Sequence, residues 1–157
     1  MKIIDNILST EQTNNLYNRF INEKYSYGET DNDHNLPTGL IHEITDNALS
    51  NYLGSIASKE FEVLNSLTIY RAYVNLFIPR ELPYFHRDGQ KVITCLFYIN
   101  PQYELDEGGE TQFIIENKLI AVESKPGRLA IFDGNLLHRA TSFRTYPRLT
   151  IAIKYDM

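Results

Sequence analysis

The residues in this sequence best suited to chemistry are those that could hold a metal ion. Tyr84-Phe85-His86-Arg87-Asp88-Gly89 sets an imidazole and a carboxylate two residues apart. In extended chain such a pair projects to one side of the strand, so both side chains can meet one ion. Short His-x-Asp triplets recur by chance, and the pair alone carries little weight. A third ligand follows in Pro126-Gly127-Arg128-Leu129-Ala130-Ile131-Phe132-Asp133-Gly134-Asn135-Leu136-Leu137-His138, where a strand-like run enters a turn and His138 comes just after it.

Two imidazoles and one carboxylate on one face of an octahedral ion leave three positions open. That arrangement suits iron that must also take a bidentate ligand and dioxygen, whereas zinc is more often closed at four ligands. Arg148 opens the run Arg148-Leu149-Thr150-Ile151-Ala152-Ile153-Lys154-Tyr155. If Ser142 to Pro147 folds as a hairpin centred near Phe143, positions 138 and 148 become cross-strand partners about 5 Å apart. A guanidinium there could grip the far carboxylate of a dicarboxylic 2-oxo acid whose other end chelates the metal. On this strand Arg148, Thr150 and Ala152 share one face, and Leu149, Ile151 and Ile153 share the other.

Elements must position these groups. Ser9 with Gln12 forms a capping-box pattern ahead of the stripe Leu16, Tyr17, Phe20, Ile21, which predicts a first helix. The polar stretch Tyr25 to Gly39 reads as a loop and a candidate lid. From Gly39 to about Ser58, Ile41, Ile44, Ala48, Tyr52 and Ile56 recur every three or four residues and predict a second helix. From Phe61 onward the period falls to two. Runs rich in β-branched and aromatic residues are separated by Pro79, Asp88-Gly89, Asn100-Pro101, Gly108-Gly109, Pro126-Gly127, Asp133-Gly134 and Pro147. The expected organisation is a single domain, with helical support over about 1–60 and a β sandwich or barrel over about 61–157.

Composition narrows the function classes. A chain of 157 residues that is 43% hydrophobic can bury a core without staples. One cysteine, Cys95, excludes an internal disulfide and any multi-thiolate cluster, so a metal must be held by imidazole and carboxylate. A net charge of −5 with no Lys/Arg cluster argues against nucleic-acid or anionic-membrane binding as the main task. No apolar run approaches a membrane span. Met1 to Asn6 does not open a secretory signal, so the default expectation is a cytoplasmic protein. His34 and His42 are expected to be exposed or capping residues, and Cys95 a small core residue.

On His86-Arg87-Asp88, Val92 to Asn100, Gly108-Gly109-Glu110-Thr111, Lys125-Pro126-Gly127-Arg128-Leu129, Phe132, His138 and Arg148, the sequence resembles the 2-oxoglutarate/iron(II) oxygenase superfamily. Within it the prolyl 4-hydroxylase branch, including the hypoxia-type prolyl hydroxylases, is most similar. The resemblance covers about Leu67 to Tyr155. It implies a double-stranded β-helix, or distorted jelly roll, backed by about two helices. It also implies Fe(II) on His86, Asp88 and His138, with 2-oxoglutarate and O2 as cosubstrates and ascorbate as a reductant. By the same resemblance the cosubstrate anchors fall on Arg148 and on Tyr98, which would hydrogen-bond its C5 carboxylate, and a second tyrosine falls on Tyr73. The implied reaction hydroxylates a C–H bond, most naturally of a prolyl residue in a peptide or protein, and releases succinate and CO2. Three alternatives stand beside it: a hydroxylase of a free amino acid or other small molecule, a cupin-like metal or ligand-binding module without turnover, and a β-sandwich with fortuitous histidines. Asp88 argues against a halogenase, which needs that carboxylate position free for halide.

Overall fold

The computed structural model describes residues 1–29 and 38–157. Two sheets face each other. The larger is built from β1 (Lys2–Ile4), β2 (Ser26–Glu29), β3 (Thr38–Glu43), β4 (Thr68–Phe77), β5 (Val92–Tyr98), β8 (Leu129–Asp133) and β10 (Arg148–Asp156), in the order β1-β8-β5-β10-β4-β3-β2. The smaller has the order β7-β6-β9, from β6 (Thr111–Ile115), β7 (Lys118–Val122) and β9 (Leu137–Ala140). All the pairings are antiparallel. This is the expected double-stranded β-helix. Its central strand, β10, is buried from Arg148 to Tyr155 because both faces of the larger sheet are covered.

The outer face is covered by helices α1 (Thr10–Phe20) and α2 (Asn47–Glu60). The Ser9/Gln12 capping box is present on α1, which buries Leu16 and Phe20. Leu53 and Ala57 of α2 join them against Leu149, Ile151 and Ile153. Cys95 lies in the same core, fully buried, and burial pushes its thiol up to about 12. The other face of β10 points between the sheets, so the two-residue alternation separates core from cavity as expected.

Two expectations need correction. The second helix starts at Asn47, not Gly39. Thr38–Glu43 instead pairs with β4 and β2, and Asp46 caps α2 by accepting from the amides of Ala48 and Leu49. The three-residue gap from Ile41 to Ile44 is therefore a strand exit that mimics helical spacing. His42 lies on β3, half-buried against the rings of Phe20 and Tyr25. The segment expected to be helical support thus also supplies three strands to the larger sheet. Of the candidate lid, Ser26–Glu29 forms β2, while residues 30–37, including His34, lie outside the described residues.

The second correction concerns Ser142 to Pro147. It is not a hairpin turn, because β9 and β10 belong to different sheets. Phe143 is fully buried and bridges Gly108. The Thr141 and Arg144 amides donate to the Glu110 and Glu107 carbonyls. These contacts carry the chain across the sandwich, so His138 and Arg148 face one another from opposite sheets. Among the described residues no helix is long and apolar enough to cross a membrane.

Candidate metal centre

The cross-strand partner of His138 is His86. Their backbones exchange both hydrogen bonds, N–H to O at 2.8 and 2.9 Å, which makes Tyr84 to Asp88 a short extension of the smaller sheet beside β9. Directly paired residues project to the same face, and the two rings lie 4.5 Å apart by centroid. The Asp88 amide donates to the Gly134 carbonyl at 2.8 Å, so the loop between β8 and β9 holds the other end of the triplet. His86 and Asp88 do share a side, as their spacing required.

The ligand atoms converge. Asp88 Oδ1 lies 3.7 Å from His86 Nε2 and 3.5 Å from His138 Nε2, and the three groups meet within 4.8 Å. Ligand atoms about 2.1 Å from an ion and at right angles would be about 3 Å apart, so small side-chain rotations suffice. The tautomers fit as well. His138 Nδ1 donates to the Leu136 carbonyl at 2.8 Å, and His86 Nδ1 faces the Tyr84 carbonyl at 3.3 Å. A proton on each Nδ1 leaves the Nε2 lone pair for the metal. Burial pushes the His138 imidazole down to about 4 against the opposing pull of Asp88, so it is a neutral donor near pH 7. Burial raises the Asp88 carboxyl, but His138, Lys154, His86 and the Thr94 hydroxyl together outweigh it and hold the group well below the usual carboxylate range. A buried carboxylate beside two imidazoles that each turn Nε2 toward it is the donor set a divalent cation needs.

A small cavity of about 50 Å³ opens beside these ligands, with Tyr73, Asn75 and Phe77 of β4 on one wall. Arg148 and Thr150 line the side contributed by the larger sheet. Arg148 is 1% exposed; its Nε donates to the Gly109 carbonyl at 2.7 Å and its Nη2 to Thr111 Oγ1 at 2.9 Å. Burial pulls its pKa down to about 10, so the guanidinium remains charged. Thr150 Oγ1 is buried with no hydrogen-bond partner. A cation and an orphaned hydroxyl on one strand face, opposite the metal ligands, fit a carboxylate.

Tyr73 lines this cavity, with the Arg71 guanidinium 4.1 Å and the Lys154 ammonium 5.2 Å from its ring centroid. Tyr98 is fully buried, and its hydroxyl donates to Thr111 Oγ1 at 2.7 Å. It thereby supports the threonine that also receives Arg148. Arg139, next to His138 on β9, turns to Gln112 and the Phe85 ring. Sequence reasoning placed Thr150 on the face of Arg148 without giving it a role in the site, and it missed Lys154. The period of two that selected Arg148 also selects both. Lys154 escaped notice because a lysine near a strand end ordinarily reads as exposed; here it is 1% exposed and its Nζ lies 3.2 Å from Asp88 Oδ1.

Residues 73–155 match the family model described as the 2OG-Fe(II) oxygenase superfamily. Among curated proteins none matches the sequence significantly. In fold the chain is similar to a Pseudomonas putida prolyl-4-hydroxylase, with TM-score 0.73, 14% identity, and coverage of 99% of this chain and 91% of that one. It is similar also to a Trichoplax adhaerens prolyl hydroxylase in complex with a hypoxia inducible factor oxygen degradation domain peptide fragment (TM-score 0.70, 21% identity, 99% and 82% coverage). A third is Streptomyces hygroscopicus HygX with nickel, 2-oxoglutarate and hygromycin B bound (TM-score 0.70, 11% identity, 98% and 81% coverage).

Proposed function

The chain belongs to the 2OG-Fe(II) oxygenase superfamily, and from that premise we propose that it is a dioxygenase that hydroxylates a prolyl residue in a peptide or protein, releasing succinate and CO2. The observation that carries the reading is the convergence of His86, Asp88 and His138 across one cavity from Arg148. Iron(II) with 2-oxoglutarate and dioxygen supplies the oxidative decarboxylation and the C–H hydroxylation; the chain supplies the rest.

His86 and His138 present Nε2, and Asp88 presents Oδ1. Arg148 and Thr150 receive the far carboxylate of 2-oxoglutarate, and Tyr98 steadies that anchor through Thr111. Tyr73 forms part of the wall. Phe113 and Phe132 pack against the His138 ring at 5.7 and 4.8 Å and keep water from that side. Peptide rather than free amino acid is favoured by Ile78, Leu82 and Tyr84. These large apolar side chains are exposed in the segment between β4 and His86, next to the first ligand. Ascorbate belongs to the reading as an external reductant.

Two measurements test the proposal. Anaerobic titration with iron(II) and 2-oxoglutarate should produce a weak visible charge-transfer band. Mass spectrometry of proline-containing peptides against free amino acids should show an added oxygen on the peptides, coupled to succinate. Oxidation of the amino acids alone would favour a small-molecule hydroxylase. No band and no substrate-coupled succinate would favour a binding module without turnover.

A further inference from the structure

We propose that Lys154 is a built-in counter-cation that competes with the metal for Asp88 and thereby lowers the affinity of the site. The inference rests on the metal assignment above. Lys154 occupies the cavity-facing side of β10, two residues beyond Ala152 and six beyond Arg148. Its cross-strand partner on β5 is Thr94. These two neighbours divide the Asp88 carboxylate between them: the Thr94 hydroxyl donates to Oδ2, and the Lys154 ammonium lies 3.2 Å from Oδ1. Oδ1 is also the oxygen that lies 3.7 and 3.5 Å from the two imidazole Nε2 atoms. The atom that must face the metal therefore already faces a fixed positive charge. Both side chains are almost fully buried, at 1% and 2% exposure, so water screens the interaction little.

Two consequences follow. The ammonium holds Asp88 Oδ1 in place before any ion arrives, since a buried carboxylate needs a partner. It also repels a divalent cation bound to the same oxygen, because like charges a few ångströms apart in a poorly screened site oppose one another. A residue that merely supported the fold would weaken metal binding when removed. A competing cation strengthens it.

The test uses Lys154→Met, which keeps the stem and removes the charge, with Lys154→Gln as a second neutral variant that keeps a donor and Lys154→Arg as the charge-conserving control. Manganese(II) is titrated at fixed neutral pH, and free ion is followed by electron paramagnetic resonance. The two neutral variants should bind manganese more tightly than wild type by about tenfold or more, while the arginine variant stays near wild type. Melting after chelator treatment should show the neutral variants less stable than wild type, with a larger upward shift on adding manganese. Unchanged or weaker binding by a neutral variant with a native circular dichroism spectrum overturns the inference. If wild type itself fails to bind manganese, the metal assignment falls and the inference with it.

Discussion

Replacing Arg148 with methionine should cost most of the affinity for 2-oxoglutarate while leaving the metal site and the fold nearly intact. The guanidinium has five N–H donors, of which one goes to the Gly109 carbonyl and one to Thr111 Oγ1. The others are available to a carboxylate that Thr150 Oγ1 also faces. Each charge-assisted hydrogen bond contributes roughly 1.5–3 kcal/mol, so two of them are worth about 3 kcal/mol at the low end, or roughly a hundredfold in dissociation constant. Stability should change far less. The variant loses two internal hydrogen bonds of the same charge-assisted kind, roughly 1.5–3 kcal/mol each, but it is also relieved of a buried charge whose desolvation offsets much of that loss. Calorimetric titration of the manganese-loaded protein is the assay. Pyruvate is the control ligand, because it keeps the chelating 2-oxo acid and lacks the far carboxylate. Wild-type affinity for 2-oxoglutarate in the variant, or an equal loss for pyruvate, would refute the assignment of Arg148 as anchor.

Thr94→Val removes the hydroxyl that donates to Asp88 Oδ2 and should weaken manganese binding about tenfold, the lower end for a group that orients a metal ligand, read by the same titration. Gly109→Ala should lower the melting temperature by several degrees, a loss of roughly 2–3 kcal/mol, since φ is +80° there and an added Cβ would strike the Phe143 ring. Asp5 donates no proton to its pair with Arg128; the guanidinium bonds it at 2.6 Å, and that bond, against slight burial, holds its carboxyl below the ordinary 3.8. A depressed folded pKa contributes stability above pH 3.8 that is lost as pH falls through the folded value. The melting-temperature gap between wild type and Asp5→Asn should therefore be present at neutral pH and close in acid; a gap that stays constant would show that the pair is not its source.

The parts of the site governed by local periodicity were legible in the sequence. The spacing of His86 and Asp88, and the division of β10 into an apolar face and a face bearing Arg148, follow from extended-chain geometry alone. What depended on which strands pair was not legible. His138 meets Arg148 across the sandwich rather than along a hairpin, because Phe143 is drawn into the core and pulls the connection from one sheet to the other. That fact is tertiary, and nothing between Ser142 and Pro147 distinguishes a crossing from a turn. The start of α2 failed for a related reason: Ile41 and Ile44 fit a helical stripe locally, but pairing with β4 and β2 decided the conformation, and Asp46 marked the true start. Lys154 was readable from the same alternation as Arg148, but its burial was not, since only the fold brings Asp88 within reach of β10.

The most direct test of the account is a crystal structure of the protein soaked with manganese(II) and N-oxalylglycine, an unreactive analogue of 2-oxoglutarate. The account predicts one ion on His86 Nε2, His138 Nε2 and a single oxygen of Asp88, chelated by the oxalyl group, with the far carboxylate on Arg148 and Thr150. An ion bound elsewhere, or the far carboxylate turned away from Arg148, would contradict it.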